Sequence, residues 1–251
     1  MADAGRARHD AEPAFVLHSY PFRETSLIIE VFTRNYGRVA LVARGARRPR
    51  SALRGVLLAF QPLLLTWGGK AELRTLHKAE WQGGLPQLQG RGLLCGFYLT
   101  ELMLKLLARD DAHEALYATY HATLSALSNG GDHAVTLRGF EQRLLQEAGY
   151  ALTLDRDAIT GEEIRAGDVY HYQLERGPVR VGHSAREPDA GGAGEKRLEL
   201  AGQTLHDMAR GDYSSAVTLQ QSKALMRMLI NHCLGNQTLN TRQLLKDMQQ
   251  L

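Results

Sequence analysis

Between Val31 and Ala71 the sequence lacks a single carboxylate, while the same 41 residues hold eight cations: Arg34, Arg38, Arg44, Arg47, Arg48, Arg50, Arg54 and Lys70. Other scarcities narrow the function further. Cysteine occurs only at Cys95 and Cys233, both in apolar, helix-like surroundings. Neither a disulfide framework nor a cysteine-built zinc site can come from them, so two reduced, buried thiols are expected. No apolar run approaches the roughly 18–20 residues of a bilayer crossing, and Met1 to Arg6 lack the apolar core of a signal peptide. The expectation is a soluble, cytoplasmic protein with no membrane partner. Gly68-Gly69-Lys70 imitates the end of a phosphate loop, yet Leu64 stands where that motif needs glycine and Ala71 where it needs a hydroxyl. The histidines are scattered, and no nucleophile, base and orienting acid stand at a recognisable spacing, although triads are not legible from spacing alone. No catalytic residue, metal ligand or cofactor is assigned, and the chain is read as a non-enzyme.

What is present is charge placed unevenly. Residues 1–85 contain 13 Lys and Arg against 7 Asp and Glu, leaving 17 against 20 for the remainder. An amino-terminal part near +6 beside a part near −3 is the electrostatic footprint of a module that meets a polyanion. Arginine dominates the basic stretch, and guanidinium both forks onto phosphate and stacks on bases. The eight cations are therefore the predicted nucleic-acid contacts, and they become DNA-binding residues under the family resemblance given below. Among the aromatics, Tyr36 in a predicted turn is the candidate for stacking on a base, whereas Phe32 falls in an alternating strand and is expected in the core.

Hydrophobic periodicity divides the chain. Residues 14–19 and 26–33 are short Val/Ile/Leu/Phe-rich runs parted by Pro21, and Asn35-Tyr36-Gly37 makes a tight connection to a third run at 38–44. Residues 45–51 are too polar and too proline-bound for regular structure and predict an exposed, arginine-tipped loop. Residues 57–67 and 71–79 complete five strands. Five short strands with basic loops predict a closed barrel of the oligonucleotide-binding kind. The domain limits expected are a flexible terminus at 1–12, the barrel at 13–82 and a helical domain at 83–251.

Beyond Gly83-Gly84 the period becomes about 3.6. Apolar stripes predict helices through Leu93–Leu107, through Leu116–Leu127 and over 133–148, the last closed by Gly149. Asp110, Asp111 and Glu114 are read as acids capping the next helix. A further helix is expected over 198–210, another opened by a Thr218/Gln221 capping box, and a last one at about 240–251. An irregular insert at about 152–197 includes a strand-like run at 169–174. The fold class is α+β, multi-domain.

Nearly the whole chain resembles the bacterial recombination mediator family RecO. The likeness is carried by Ala14-Phe15-Val16-Leu17-His18-Ser19, Glu24-Thr25-Ser26-Leu27, Val31-Phe32-Thr33, Gly37-Arg38-Val39 and Ala43-Arg44-Gly45-Ala46-Arg47 at their intervals. Weaker echoes lie at Glu101-Leu102, Leu137-Arg138-Gly139-Phe140-Glu141, Leu145 to Tyr150 and Thr241-Arg242-Gln243-Leu244-Leu245. The resemblance implies an oligonucleotide-binding barrel and a helical domain that together bind single- and double-stranded DNA. It also implies annealing of complementary strands coated by the single-strand-binding protein SSB, and assistance, with RecR, to the loading of RecA. Arg138, with Gln142, matches the place where RecO-like proteins receive the acidic tail of SSB; an ordinary exposed arginine paired within its helix to Gln142 or Glu141 is the alternative. Many members carry a four-cysteine zinc module where residues 152–183 stand. Here no cysteine remains, and Asp155, Asp157, Glu162, Glu163, Asp168, His171 and His183 do not make a calcium loop, because Ile159 replaces a ligand and Gly161 falls one place late. A degenerate, metal-free module is expected. The charge and barrel alone would equally serve an RNA-binding module in translation or ribosome assembly.

Overall fold

A computed structural model describes residues 8–150, 152–182, 198–235, 237–241 and 243. The chain forms two compact units, one ending at His133 and taking up the residues from Leu239 onward, the other running from Ala134 to Thr238.

The first unit is built on five strands, β1 (Arg8–Phe22), β2 (Ser26–Thr33), β3 (Gly37–Ala43), β4 (Leu63–Gly68) and β5 (Leu73–Trp81), closed into a barrel in the order β1-β2-β3-β5-β4. All pairings are antiparallel except β3 with β5. Alternation supplies the interior: Ala14, Val16, Ile29, Val31, Val39, Leu41, Leu63, Leu65 and Trp67 pack into one core. Two expectations need correction. The strand pattern begins at Arg8, so residues 8–12 are barrel rather than flexible terminus; residues 1–7 lie outside the described residues. The fourth strand starts at Leu63 and not at 57, because Leu53–Val56 coil into a short helix, α1, and Phe60 takes a positive φ of 63° that breaks the extended run.

Helices α2 (Gly90–Leu106) and α3 (Glu114–Ser128) fall close to where the periodicity placed them. They belong to the barrel's own unit. Phe15 and Phe32 alternate outward and meet Tyr117 and Tyr120 at ring separations of 5.2–6.3 Å. Phe32 is fully buried, as expected, but against α3 and not inside the barrel. Burial pushes the Tyr120 phenol pKa far above its usual range. The link between the helices runs hard against β3: the Asp110 amide donates to the Arg38 carbonyl at 2.9 Å. Of the acids predicted to cap α3, Glu114 does stand in its first turn and also reaches Arg34, whereas Asp110 pairs with Arg74 at 2.6 Å and no side chain caps the helix at His113.

In the second unit, α4 (His133–Glu147) ends before Gly149, whose φ of 85° suits a C-terminal cap. A three-stranded sheet of order β7-β6-β8 is formed by β6 (Val169–Gln173), β7 (Gly177–Arg180) and β8 (Glu199–Ala201), and helices α5 (Gly202–Arg210) and α6 (Ala216–Leu234) pack on each other. Residues 199–201 are thus strand and not the first turn of a helix. Thr218 and Gln221 make no capping box, because α6 begins at Ala216 and carries both inward. The Thr218 hydroxyl donates to Asp207 at 2.6 Å, while the Gln221 carbonyl accepts from the Ala201 amide at 3.0 Å and from the Thr204 hydroxyl. Most of the helix expected at 240–251, together with His183, lies outside the described residues.

Where a zinc module was expected to have degenerated, one carboxylate organises the turn. Asp157 accepts from the amides of Ile159 and Thr160 at 2.8 and 2.9 Å through one oxygen, and from the amide of Arg180 at 2.7 Å through the other. Asp155, Glu162 and Asp168 pair with Arg156, Arg165 and Arg180. Among the described residues, no three His, Cys, Asp or Glu converge as a metal cage.

Candidate nucleic-acid interface

Barrels of this kind ordinarily read single strands across the outer face of strands 2 and 3, flanked by the β1–β2 and β4–β5 loops. Here the Glu30–Phe32 part of that face is covered. Phe32 lies under α3, the chain at 109–111 runs along β3, and Glu30 on β2 is buried and ion-paired to Arg109. The pair, with desolvation working against it, raises the Arg109 pKa through hydrogen bonding to Glu30. Arg109 also reaches Glu72.

The eight cations therefore separate by environment. Arg38 points into the covered face, where its guanidinium donates to the Leu104 carbonyl and stands 3.9 Å from Glu30. Desolvation lowers its pKa despite that carboxylate. It is a structural tie between β3 and α2 and not a free DNA contact, a correction to the sequence reading. Arg34, at the β2–β3 turn, donates through Nε to Glu114 at 2.7 Å, and that bond raises its pKa. Its charge is matched locally.

Arg44, Arg47, Arg48, Arg50, Arg54 and Lys70 are exposed, and none is ion-paired among the described residues. Lys70 sits in the β4–β5 turn, and Arg54 lies on α1. The other four occupy the loop after β3, which is ordered despite its polarity. Consecutive turns bind Arg48 N to the Gly45 carbonyl and Ser51 N to the Arg48 carbonyl, both at 3.0 Å, and Gly45 supplies a φ of 69°. Ala46 drops into the barrel core and anchors the loop's middle. Arg47 ties it to the β1–β2 turn, its amide donating to the Thr25 carbonyl at 2.8 Å and its guanidinium to the Arg23 carbonyl at 3.3 Å. Arg23, whose guanidinium sits 5.1 Å from the Phe22 ring centroid, is an exposed cation at the same end that the sequence reading missed. In the sequence it stands outside the acid-free stretch, with Glu24 beside it.

Tyr36 is exposed at the opposite end of β2, beside Arg34. It packs edge-on against His9 at 4.3 Å and Trp67 at 5.7 Å. Those contacts hold the ring in place, apart from the basic loop.

In the second unit, the Arg138 guanidinium pairs within its helix with the buried Glu141 at 2.7 Å, but at 8% exposure Arg138 is not the exposed arginine of the alternative reading. Its Nε finds no hydrogen-bond partner among the described residues. Gln142 bridges two elements, donating to the Met208 carbonyl at 3.3 Å and accepting from the Tyr213 hydroxyl at 2.6 Å. Burial pushes the Tyr213 pKa up to about 12.

Comparison with known proteins adds to this geometry. The family description Recombination protein O N terminal matches residues 10–84, and Recombination protein O C terminal matches residues 87–243. The chain is 58% identical over 246 residues to the DNA repair protein RecO of Nitrosospira multiformis, covering 98% of each sequence. It is 53% identical to the DNA repair protein RecO of Aromatoleum aromaticum, over 98% of this chain and 99% of that one. A third relative, the DNA repair protein RecO of an Azoarcus species, is 51% identical over 99% of this chain and 100% of its own.

Proposed function

The chain belongs to the recombination protein O family, and from that premise we propose that it serves DNA repair and homologous recombination as a non-enzymatic mediator. It binds single- and double-stranded DNA through the loop end of the barrel, anneals complementary strands coated by SSB, and with RecR assists the loading of RecA. It works in the cytoplasm, on the nucleoid when engaged with DNA.

One observation carries the reading. Arg44, Arg47, Arg48 and Arg50, exposed and without carboxylate partners among the described residues, gather at one end of the barrel on an ordered loop, while much of the face that such barrels commonly use is covered by the protein's own helices and their link. Annealing needs two polyanions brought together, and the chief obstacle is phosphate repulsion. Fixed guanidiniums screen that repulsion without any proton or group transfer, and their backbone contacts leave the base edges free to pair. The SSB tail is assigned to the second unit, where its terminal carboxylate exchanges with Glu141 on Arg138 and Gln142 lies one residue beyond.

Simultaneous Arg44→Glu, Arg47→Glu and Arg48→Glu substitution tests the DNA site. The expected result is loss of annealing of SSB-coated strands, with the salt dependence of single-strand affinity reduced by about three phosphate contacts, each worth roughly 0.7 in the slope of log K against log salt. Annealing at the original rate by a folded triple variant would overturn the reading.

A further inference from the structure

Trp81 is the most exposed large apolar side chain among the described residues, at 59%. Its indole is held in place: Nε1 donates to Oε1 of Gln61 at 3.0 Å, and Gln61 is itself 5% exposed. Gly83, which a Cβ would bring to 3.9 Å from the far edge of the ring, presents no side chain there. The ring is thus fixed at one end by a buried amide and left open along its outer part.

Topology directs this ring toward the same end of the barrel as the basic loop. β3 and β5 are parallel, so the loop that leaves β3 and the residue that ends β5 emerge in the same direction. The register Leu63↔Trp81 puts Trp81 on the interior side of the sheet, at the rim beyond Leu63. Leu53, Val56 and Leu57, in and just after α1, pack on the barrel core, and α1 packs against β5. Arg54 projects from that same short helix into solvent. Glu80, the acid adjacent to the ring, is paired with Lys78 at 2.8 Å. A rigid, half-open indole on the rim of an arginine-bearing mouth offers what an unpaired nucleotide presents: a flat π surface joined to a phosphate.

We propose that Trp81 is a base-stacking platform that lets this barrel favour unpaired over paired polynucleotide. The proposal deepens the functional reading above and rests on it. The arginines attract either kind of strand through phosphate; the indole adds a contact that only an unstacked base can accept, because bases inside a duplex have both faces occupied. Stacking of one base on an aromatic ring is worth about 5- to 150-fold in affinity.

The chain has two tryptophans, and Trp67 is wholly buried in the barrel core. Fluorescence change on binding an oligothymidylate therefore reports on Trp81, and it should vanish in Trp81→Phe, which retains only Trp67. Trp81→Ala should lose about 5-fold or more in single-strand affinity with the salt slope unchanged, Trp81→Phe should recover part of that loss, and duplex affinity should stay as it was. An abasic strand of equal length should bind the wild type and Trp81→Ala alike. Equal oligothymidylate affinity for wild type and Trp81→Ala, or a fluorescence change that persists in Trp81→Phe, would overturn the proposal while leaving the arginine site standing. Absence of wild-type binding in fluorescence anisotropy would sink the underlying reading as well.

Discussion

At Gly37 two constraints meet on one atom. Its φ is 63°, and a Cβ would stand 1.7 Å from the carbonyl oxygen of Asp111, so an added methyl must displace backbone. Gly130 shares the left-handed conformation, with a φ of 77°, yet a Cβ there would meet nothing within 4 Å. Gly130→Ala is expected to cost only the conformational part, about 1–3 kcal/mol. Gly37→Ala should lower the urea midpoint by clearly more, and equal midpoints for the two variants would show that the close approach of residues 109–111 to β3 is not needed. Sequence could flag Gly37 as a turn glycine; it could not reveal the second strand of constraint, because Asp111 is remote along the chain. The local partners of Arg34 and Arg38 were hidden for the same reason. Glu114 on α3 and Glu30 on the neighbouring strand both lie outside the acid-free stretch, and a one-dimensional count cannot pair charges brought together by folding.

Elements whose signal is local were legible: the first three strands, helices α2, α3 and α4, and the strand at β6 all lie near the runs that alternate or repeat at 3.6 residues. Boundaries failed where tertiary contacts overrule pattern. Thr218 and Gln221 look like a cap, but their polar atoms are spent on Asp207, Ala201 and Thr204, inside the packing of α5 on α6. The turn at Asp157 shows a gain of the same kind. Three amides from two separate segments converge on a single carboxylate, which ties residues 157–160 to the end of β7. Hydrogen bonds to a charged acceptor contribute about 1.5–3 kcal/mol each, and losing several at one site is among the larger effects of a point change. Asp157→Ala should therefore destabilise the second unit by roughly 3–5 kcal/mol in denaturant unfolding followed by a tyrosine signal, with no recovery on adding zinc. A variant as stable as the parent would mean the turn is held by its neighbours.

At the scale of the whole molecule, the two proposed sites fall in different units. The basic loop belongs to the first, and the Arg138–Glu141 pair to the second. Arg138→Ala is expected to abolish binding of an SSB tail peptide, measured by fluorescence anisotropy, while single-strand DNA affinity is retained; the triple arginine-to-glutamate variant should do the reverse. Loss of both activities in Arg138→Ala would indicate that the substitution unfolds its unit instead of removing a contact. The overall plan, barrel followed by helices, could be read from periodicity and charge. Which helices close the barrel could not, since amphipathic stripes state that a face is buried without stating against what. Closure of the outer face by α3 also bears on how the polypeptide is made. Phe15 and Phe32 are synthesised long before Tyr117 and Tyr120, which pack on them. At about 5–20 residues per second, a ribosome that has just completed β5 needs a further few seconds to deliver Tyr120. Throughout that interval the nascent barrel presents an uncovered aromatic surface, a natural landing place for a chaperone that greets chains at the exit tunnel.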